Sequence, residues 1–386
     1  MIVVILIGIS AVLFAYIAQF KRLRFCLKIS FLIIFLFLAL RYNYGSDYPS
    51  YLKTFLDVGN LGFEAISEFW TDIFFYNLIF EGNDELQLAS SLALTTEPGW
   101  RALCLIFQPF GFFAMIAVLA LFNCFVYYYF IKKYVSPAYY WFAVFLYVFT
   151  PNMMLVQSSA MRQALAISIF LLSIQYIFKQ DFLRYLLMVF LATLFHASAI
   201  ILLPIYLLGA LKFKITTPIA IIVTIFLLSL FILQNYLSTI MSQFIEAFVP
   251  QYSIYDEKGS LGYGLGIAFN ILIMYLMLIF DRYFRREESL LNRISVLGTF
   301  IIPFSLVIML IARLRFYFDP LMLAVYPFIL MKAHKVIPEY PLLFKYVFVM
   351  VLISYSLFLF LGFFQSDIWK ESFGTYNTIF SAPSLY

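Results

Sequence analysis

The chain has 386 residues, of which 65% are hydrophobic and only 12% are charged, and its formal net charge at pH 7 is +5. A soluble domain is about half apolar and about a quarter charged, so this composition excludes a soluble globular protein. The basic residues are sorted into short clusters between apolar segments, and we therefore predict no nucleic-acid partner.

Long uncharged segments indicate membrane-spanning helices. Residues 102–131, 215–245, 294–312 and 346–366 lack charged side chains and reach the roughly 20 residues that a spanning helix requires. The first 20 residues resemble a signal peptide but lack a basic start and a small-residue cleavage site, so we expect them to remain as the first helix. Backbone groups in lipid must be hydrogen-bonded within the protein, which favours helices for every pass.

Lysine and arginine clusters fall in alternate gaps between these segments. They are Lys21/Arg22/Arg24/Lys28, Lys132/Lys133, Lys179/Arg184, Lys212/Lys214, Arg282/Arg285/Arg286/Arg293 and Lys332/Lys335/Lys345. Placing all of them in the cytoplasm puts 17 of the 25 basic residues on that side. The positive-inside rule predicts such an asymmetry, so the gaps between the clusters face outward.

We predict an all-α polytopic protein that forms a single integral membrane domain over residues 1–386. About twelve passes, with both termini outside, satisfy the charge distribution: 1–20, 28–42, 102–131, 138–150, 158–178, 183–195, 198–211, 216–236, 263–280, 290–311, 317–331 and 342–362. The passes 183–195 and 198–211 must be half-length helices that turn near His196. One long helix would move Lys212 and Lys214 to the outer face.

Two segments are predicted to form large outer loops. Residues 42–101, between the second and third helices, carry nine acidic and two basic side chains. Within them, residues 64–80 have the pattern of an amphipathic helix lying on the membrane surface. Residues 237–262 are polar and rich in turn residues towards their end, which is typical of a loop.

Ionisable groups at the edge of an apolar span are costly to insert, so they are candidates for function. Seven such groups lie near the predicted outer boundary: Arg41, Asp47, Glu97, Arg162, His196, Arg313 and Arg315. A guanidinium group suits phosphate oxygens, whereas a carboxylate or an imidazole can accept a proton. The three cysteines and two histidines are not clustered, so we expect neither a metal site nor a cofactor.

The proton-accepting candidates and Arg41 also have structural alternatives. In the functional interpretation, Gly45 permits a tight turn that aims Asp47 towards the membrane. Alternatively, Arg41 could be an interfacial arginine followed by a solvated loop. Glu97, in the sequence Glu-Pro-Gly-Trp, could cap the third helix. His196 could be a hydrogen-bonded packing residue within the membrane.

The later arginines have alternatives of their own. Arg162 faces outward without a basic neighbour, so its partner is an anion, either a protein carboxylate or a ligand phosphate. Arg313 and Arg315 could bind phosphate in the bidentate manner of arginine. They could instead pair with Asp319 or with lipid headgroups.

In this order, the motifs resemble those of the EpsG/Wzy-like family of bacterial polysaccharide polymerases. The resemblance covers roughly residues 35–330 and rests on Arg41…Gly45-x-Asp47…Tyr51, Glu97-Pro-Gly-Trp100, Arg162-Gln-Ala-Leu-Ala-Ile, Arg184-Tyr-Leu-Leu…Phe195-His-Ala-Ser-Ala…Pro204 and Arg313-x-Arg315-x-Tyr317. It implies a GT-C-like helical fold in the bacterial inner membrane and a site that faces the periplasm. The expected partners are the lipid bilayer and oligosaccharides carried on undecaprenyl diphosphate, and a chain-length regulator stays an open question.

The resemblance implies that repeat units of a surface polysaccharide are joined. Our hypothesis is metal-independent, inverting glycosyl transfer, in which Arg41, Arg162, Arg313 and Arg315 bind the pyrophosphate. Asp47, Glu97 and His196 compete for the role of base, and we favour Asp47 with one of the other two as its orienting partner. An O-antigen ligase, a membrane O-acyltransferase and a lipid-linked oligosaccharide flippase are the alternatives.

Overall fold

The structure, a computed structural model, describes residues 1–62, 96–210, 217–233, 265–305 and 313–381, together with Tyr236 and Thr239. The surface helix predicted at 64–80 and almost all of the outer loop predicted at 237–262 lie outside these residues. The described residues are mainly helical, which confirms the prediction of an α-helical protein, and they include one pair of two-residue strands. The number of twelve passes and the GT-C-like arrangement stay predictions.

The chain divides into two compact units, the first made of residues 1–203 and 354–386 and the second of residues 204–353. Helices of the first unit are α1 (Ile2–Ile17), α2 (Cys26–Ala39), α3 (Tyr48–Leu61), α4 (Pro98–Phe107), α5 (Phe112–Tyr134), α6 (Tyr140–Phe149), α7 (Met154–Ser159), α8 (Met161–Phe178) and α9 (Phe182–Phe195), followed by a 3₁₀ helix (Ala197–Leu202). The single membrane domain predicted over residues 1–386 stays a prediction.

The remaining described elements continue the chain. They are α10 (Ile205–Ala210), α11 (Thr217–Ile232), α12 (Leu265–Asp281), α13 (Arg286–Ser305), α14 (Met322–Val336), α15 (Pro341–Gln365) and α16 (Asp367–Phe373), with short 3₁₀ turns at Arg315–Tyr317 and Asp319–Leu321. The two strands are β1 (Arg41–Tyr42) and β2 (Asn377–Thr378).

Several helices have the length and composition of membrane spans. Four segments qualify outright among the described residues: Phe112–Tyr134, Met161–Phe178, Arg315–Val336 and Pro341–Gln365. Other apolar helices of 10–17 residues include α1 and α9. These helices indicate a multi-pass membrane protein.

The packing of α1 shows how an apolar helix divides between protein and surroundings. Its buried residues, Val4, Gly8, Ala11 and Ala15, form one narrow face of small side chains. A Cβ atom on Gly8 would lie 2.6 Å from the Phe149 ring, so α1 and α6 approach as closely as they do only with glycine there. Large side chains such as Leu6 and Leu13 lie exposed on the other side. Small residues inside and large apolar residues outside are typical of helices packed within lipid.

The start predicted for the third pass, residue 102, is too early in the chain. The pass predicted at 102–131 is interrupted, because α4 ends at Phe107 and α5 begins at Phe112. Pro109 lies in the connecting turn and has no backbone N–H to continue a helix. Gly111 has a φ of 83°, a left-handed conformation that glycine adopts without strain.

A helix also occurs where a loop was predicted. The helix α3 lies within the outer loop 42–101 and buries Tyr48, Tyr51, Phe55 and Val58. These residues follow helical spacing, so they form one apolar face. Pro49 lies in the first turn, where proline is well tolerated because the N–H groups there have no partner within the helix.

The break predicted near His196 is confirmed. The helix α9 ends at Phe195, and His196 has an extended backbone with φ of −154° and ψ of 110°. The 3₁₀ helix that follows packs against α9, because the Tyr185 hydroxyl donates a hydrogen bond of 2.5 Å to the Leu202 carbonyl. The chain therefore turns back along α9.

The last described segment of the first unit covers the turn around Arg41. Strand β2 pairs antiparallel with β1, so that Arg41 lies opposite Thr378. The Tyr376 hydroxyl donates to the Phe37 carbonyl at 2.6 Å, and the Gly45 N–H donates to the Ser372 carbonyl at 3.0 Å. These bonds join the segment 372–378 to the end of α2 and to the turn at Gly45.

The second unit holds a buried carboxylate that is fully engaged. Asp281 accepts hydrogen bonds from Ser289 Oγ at 2.8 Å and from Asn292 Nδ2 at 3.0 Å, and it pairs with Arg293 at 2.9 Å. Because a buried charge needs such partners, this network holds the end of α12 against α13.

Candidate active site

The Glu97 carboxylate is the centre of a charged cluster in the first unit. Its Oε2 atom accepts a hydrogen bond of 2.5 Å from Arg162 Nη1, and its Oε1 atom lies 3.1 Å from His196 Nδ1. Oε1 also accepts the backbone N–H of Ala197 at 3.2 Å. Three predicted site residues, from three distant parts of the sequence, therefore meet here.

The backbone places Glu97 at the N-cap of α4, but its side chain does not cap the helix. Its backbone is extended, with φ of −63° and ψ of 145°, and Pro98 occupies the first turn. The carboxylate makes no capping hydrogen bond and points instead to α8 and to the break after α9. Glu97 thus occupies the cap position of one helix while its charge joins two others.

Gly99 allows α4 to approach the end of α9. A Cβ atom at this position would lie 2.7 Å from the Leu194 carbonyl oxygen, which is closer than real contacts allow. Leu194 lies two residues before His196, so this contact sets the distance between Glu97 and the histidine. The next residue, Trp100, is fully buried and packs against Tyr51, with ring centres 5.0 Å apart.

Arg162 and His196 are held at the ends of their helices. Arg162 is the second residue of α8, and His196 is the first residue after α9. Their side chains are 26% and 25% exposed, so the cluster is partly open to its surroundings. For Arg162, the protein carboxylate considered from the sequence is present, and it is Glu97.

Asp47 lies on a turn that is bound to the chain just before α8. Its backbone N–H donates to Ser159 Oγ at 3.1 Å, and its carboxylate accepts from Ser46 Oγ at 3.1 Å. Gly45, with φ of 120°, lets this turn approach Ser159 closely, since a Cβ atom at this position would lie 3.1 Å from the Ser159 Cα. Asp47 is exposed and precedes α3. Its hydrogen bond to Ser159 fixes its position relative to the chain that leads to Arg162.

Comparison with known proteins identifies the family. The model of the EpsG family matches residues 24–378. The chain belongs to the EpsG family. No curated protein and no solved structure matches it. EpsG membership supports a general role in polysaccharide polymerisation and biosynthesis, and the matched range includes all seven site residues predicted from the sequence.

In this EpsG chain, Arg41 is buried behind the turn that carries Asp47. Its side chain donates to the Leu38 carbonyl and, at 3.1 Å, to the Ser158 carbonyl. The residue is only 3% exposed, whereas an interfacial arginine would extend towards water. Arg41 therefore connects α2 to the end of α7, two residues before α8 begins.

Two further EpsG candidates, Arg313 and Arg315, belong to the second unit. Arg315 Nε donates to Asp319 Oδ1 at 2.8 Å, and Asp319 is almost completely buried. This is the carboxylate pair considered as an alternative from the sequence. Arg313 is exposed. The convergence of these arginines with Arg162 stays a prediction.

Tyr51 belongs to the cluster, although no role for it was predicted from the sequence. The Arg162 guanidinium lies over the Tyr51 ring, 5.7 Å from its centre. Burial raises the pKa of the Tyr51 phenol, Asp47 raises it further, and Arg162 opposes this increase. The signal in the EpsG sequence was the spacing, because Asp47 and Tyr51 lie four residues apart, about one helical turn.

The Glu97 side chain is ionised at neutral pH. Burial alone would raise its pKa, but the hydrogen bond from His196 and the charge of Arg162 lower it more, and the net effect is a decrease. A carboxylate can only accept hydrogen bonds, so His196 donates to it from Nδ1. The arrangement therefore holds an imidazole in a fixed orientation beside a guanidinium group.

The charged groups of the cluster do not form a metal-ligand set. In the ranges that the structure describes, no three His, Cys, Asp or Glu side chains are grouped so that they could hold a metal ion. The cysteines Cys26, Cys104 and Cys124 are buried with free thiols.

Proposed function

We propose that this EpsG protein is a polymerase that joins oligosaccharide repeat units carried on undecaprenyl diphosphate. The reaction would be metal-independent, inverting glycosyl transfer at the periplasmic face of the bacterial inner membrane, in the biosynthesis of a surface polysaccharide such as O-antigen. Family membership supports polymerisation in general. The observation that carries the chemical assignment is the Glu97 carboxylate, which binds His196 and Arg162 together.

In the proposed step, His196 Nε2 accepts the proton of an acceptor sugar hydroxyl while the hydroxyl oxygen attacks the anomeric carbon of the donor. The bond between that carbon and the diphosphate oxygen breaks, and undecaprenyl diphosphate leaves with the bonding electrons. The anomeric configuration inverts because attack and departure occur on opposite faces. Glu97 stabilises the imidazolium ion, which then releases its proton to the departed diphosphate or to water.

The engagement of Glu97 favours His196 as the base. Both Glu97 oxygens accept hydrogen bonds in the cluster, and its lowered pKa makes it a weak proton acceptor. His196 has the opposite character, since a histidine whose Nδ1–H is bound by a carboxylate can accept a proton at its other ring nitrogen, Nε2. This assignment differs from the sequence-based preference for Asp47, which we keep as the alternative base because its carboxylate is exposed.

Arg162 is the proposed contact for the departing diphosphate. A guanidinium group has five N–H donors, so it can bind a phosphate oxygen while its Nη1 stays paired with Glu97. The group is partly exposed beside the proposed base, and a preorganised cation in such a site stabilises developing negative charge. Roles for Arg41, Arg313 and Arg315 in binding the pyrophosphate are retained as sequence-based predictions.

The decisive experiment is complementation of a deletion strain, followed by electrophoresis of the surface polysaccharide. The variants are Arg162→Ala, His196→Ala, Glu97→Gln and Asp47→Asn. Arg184→Ala and His334→Ala are matched controls, since each removes an exposed side chain of the same type outside the cluster. Equal amounts of each protein in the membrane fraction must be verified by immunoblotting.

The pattern of products separates the alternatives. Loss of the ladder with a single-repeat product retained supports the polymerase. Loss of all attached repeats would instead identify a ligase or a flippase. A normal ladder in all four variants would remove the proposed site.

A further inference from the structure

Arg41 is a buried cation without a described counter-ion. It is 3% exposed, and its two terminal nitrogens donate to the carbonyls of Leu38 and Ser158. Within the described ranges, no carboxylate forms an ion pair with it, and its Nε–H has no hydrogen-bond partner. Carbonyl oxygens satisfy hydrogen bonds but carry no net charge, so the positive charge is left uncompensated.

A small cavity lies beside this guanidinium group. Its volume is about 20 Å³, which is enough for a water molecule or a monatomic ion, and Arg41 and Gln157 are among its lining residues. The Gln157 Oε1 atom accepts a hydrogen bond of 2.5 Å from the Tyr127 hydroxyl. This bond fixes the orientation of the amide, and its buried Nε2 has no partner.

The two unpartnered groups have the same chemical character. Arg41 Nε and Gln157 Nε2 are both N–H donors in residues that are more than nine-tenths buried, and both residues line the same cavity. Met161, the first residue of α8, also lines it, so the positive end of that helix dipole lies nearby. The cavity therefore suits a hydrogen-bond acceptor, and the positive charge of Arg41 favours an acceptor that is negatively charged.

We propose that this cavity binds a monatomic halide ion, chloride under physiological conditions. A water molecule would satisfy the two donors but would leave the charge of Arg41 uncompensated, whereas chloride satisfies both requirements. The bound ion would join α2, α7 and α8 from within. This inference does not depend on the proposed base or on the Arg162 contact, because none of Glu97, Arg162 and His196 lines the cavity. It is an alternative to the pyrophosphate role that the sequence predicts for Arg41.

The test is thermal unfolding of the full-length protein, purified in detergent, as gluconate is replaced by chloride at constant ionic strength. A ligand that binds only the folded state raises the unfolding temperature, and the rise follows the occupancy of its site. We expect a chloride-dependent increase for the wild type, reproduced by bromide. If the unfolding temperature in chloride equals that in gluconate, water alone occupies the cavity, and the proposal is overturned.

Gln157→Glu is the variant of choice, since it replaces the unpartnered Nε2 with a carboxylate oxygen of the same shape. The new carboxylate neutralises Arg41 and still accepts the Tyr127 hydrogen bond, so the protein should fold. We expect the chloride dependence to disappear in this variant and to persist in Arg184→Gln, an exposed control. An unchanged dependence in Gln157→Glu would contradict the proposal.

Anomalous diffraction from crystals grown in bromide provides a measurement on the wild type alone. A peak beside Arg41 and Gln157 supports the site. Crystals without a peak at that position would count against it, whatever the outcome of the polysaccharide assay.

Discussion

Glu97 Oε1 and His196 Nδ1 lie 3.1 Å apart, although 99 residues separate the two side chains in the sequence. The same oxygen accepts the backbone N–H of Ala197, so the carboxylate holds both the imidazole and the chain on which it is carried. An ion pair on its other oxygen attaches Arg162. One carboxylate therefore sets the relative positions of a proton acceptor and a cation, and the tests below depend on that relationship.

The identity of the base is tested by comparing His196→Ala with Asp47→Asn. Because His196 is the proposed proton acceptor, its removal should decrease the rate of polymer formation by about 10²- to 10⁴-fold, the usual contribution of a general base. Asp47→Asn should retain most of the activity. The measurement is the rate of polymer formation by purified protein supplied with lipid-linked repeat units, and the reverse order of the two variants would make Asp47 the base.

Acid stability should depend on Glu97. Its pKa in the folded protein lies below the ordinary value of 4.5, so its contribution to stability is fully present above that pH and is lost as the pH falls through the folded pKa. We therefore expect the unfolding temperature of the wild type to fall more steeply between about pH 5 and about pH 3 than that of Glu97→Gln. The exposed Glu287→Gln variant is the control and should follow the wild type, and parallel curves for Glu97→Gln would argue against the ion pair.

Gly99→Ala should impair activity without altering a reacting group. The added Cβ would lie 2.7 Å from the Leu194 carbonyl oxygen, so α4 must move away from the end of α9 and carry Glu97 with it. Such overpacking costs about 1–3 kcal/mol, measurable as a lower unfolding temperature, and the displacement of Glu97 should also weaken the polysaccharide ladder. Gly362→Ala is the control, because its Cβ would meet no atom within 4 Å. Equal behaviour of the two variants would refute the close approach.

Tyr51→Phe separates the phenol from the ring. The substitution keeps the packing against Trp100 but removes the hydroxyl beside Arg162. A hydrogen bond to a charged group contributes about 1.5–3 kcal/mol, so we expect a lower unfolding temperature. Because Arg162 also loses a partner that positions it, we expect a decrease of about tenfold in the rate of polymer formation. Tyr16→Phe, in the exposed face of α1, should have no effect. An unchanged rate in Tyr51→Phe would mean that the Tyr51 ring contributes to the cluster and that its hydroxyl does not.

Local signals in the sequence were sufficient for much of the fold. The break at His196 was predicted because Lys212 and Lys214 had to stay on one side of the membrane, and α9 indeed ends at Phe195. The interruption after α4 was missed, although Pro109 and Gly111 are residues that disfavour continuous helix. The helix α3 was missed because the acidic character of the loop concealed its apolar face.

The sequence predicted which residues form the site better than it predicted how they are arranged. Glu97, Arg162 and His196 were selected because ionisable groups at the membrane edge are costly, and the structure brings these three together. The burial of Arg41 and the contact of Gly99 with Leu194 depend on which helices become neighbours. Such contacts between distant segments leave no periodic pattern in one sequence.

The pairing of β2 with β1 has a consequence for biogenesis. The Tyr376 hydroxyl reaches the Phe37 carbonyl across 339 residues of sequence, and the ribosome needs roughly 20 to 70 s to synthesise that interval. Until then, the segment 372–378 is not present to cover the turn that carries Arg41 and Asp47. The helices between Phe37 and Tyr376 are meanwhile already entering the bilayer. The region around β1 and β2 therefore assembles late, after the helices have been inserted. In every chain whose synthesis stalls early, the turn stays uncovered and accessible to quality-control proteases.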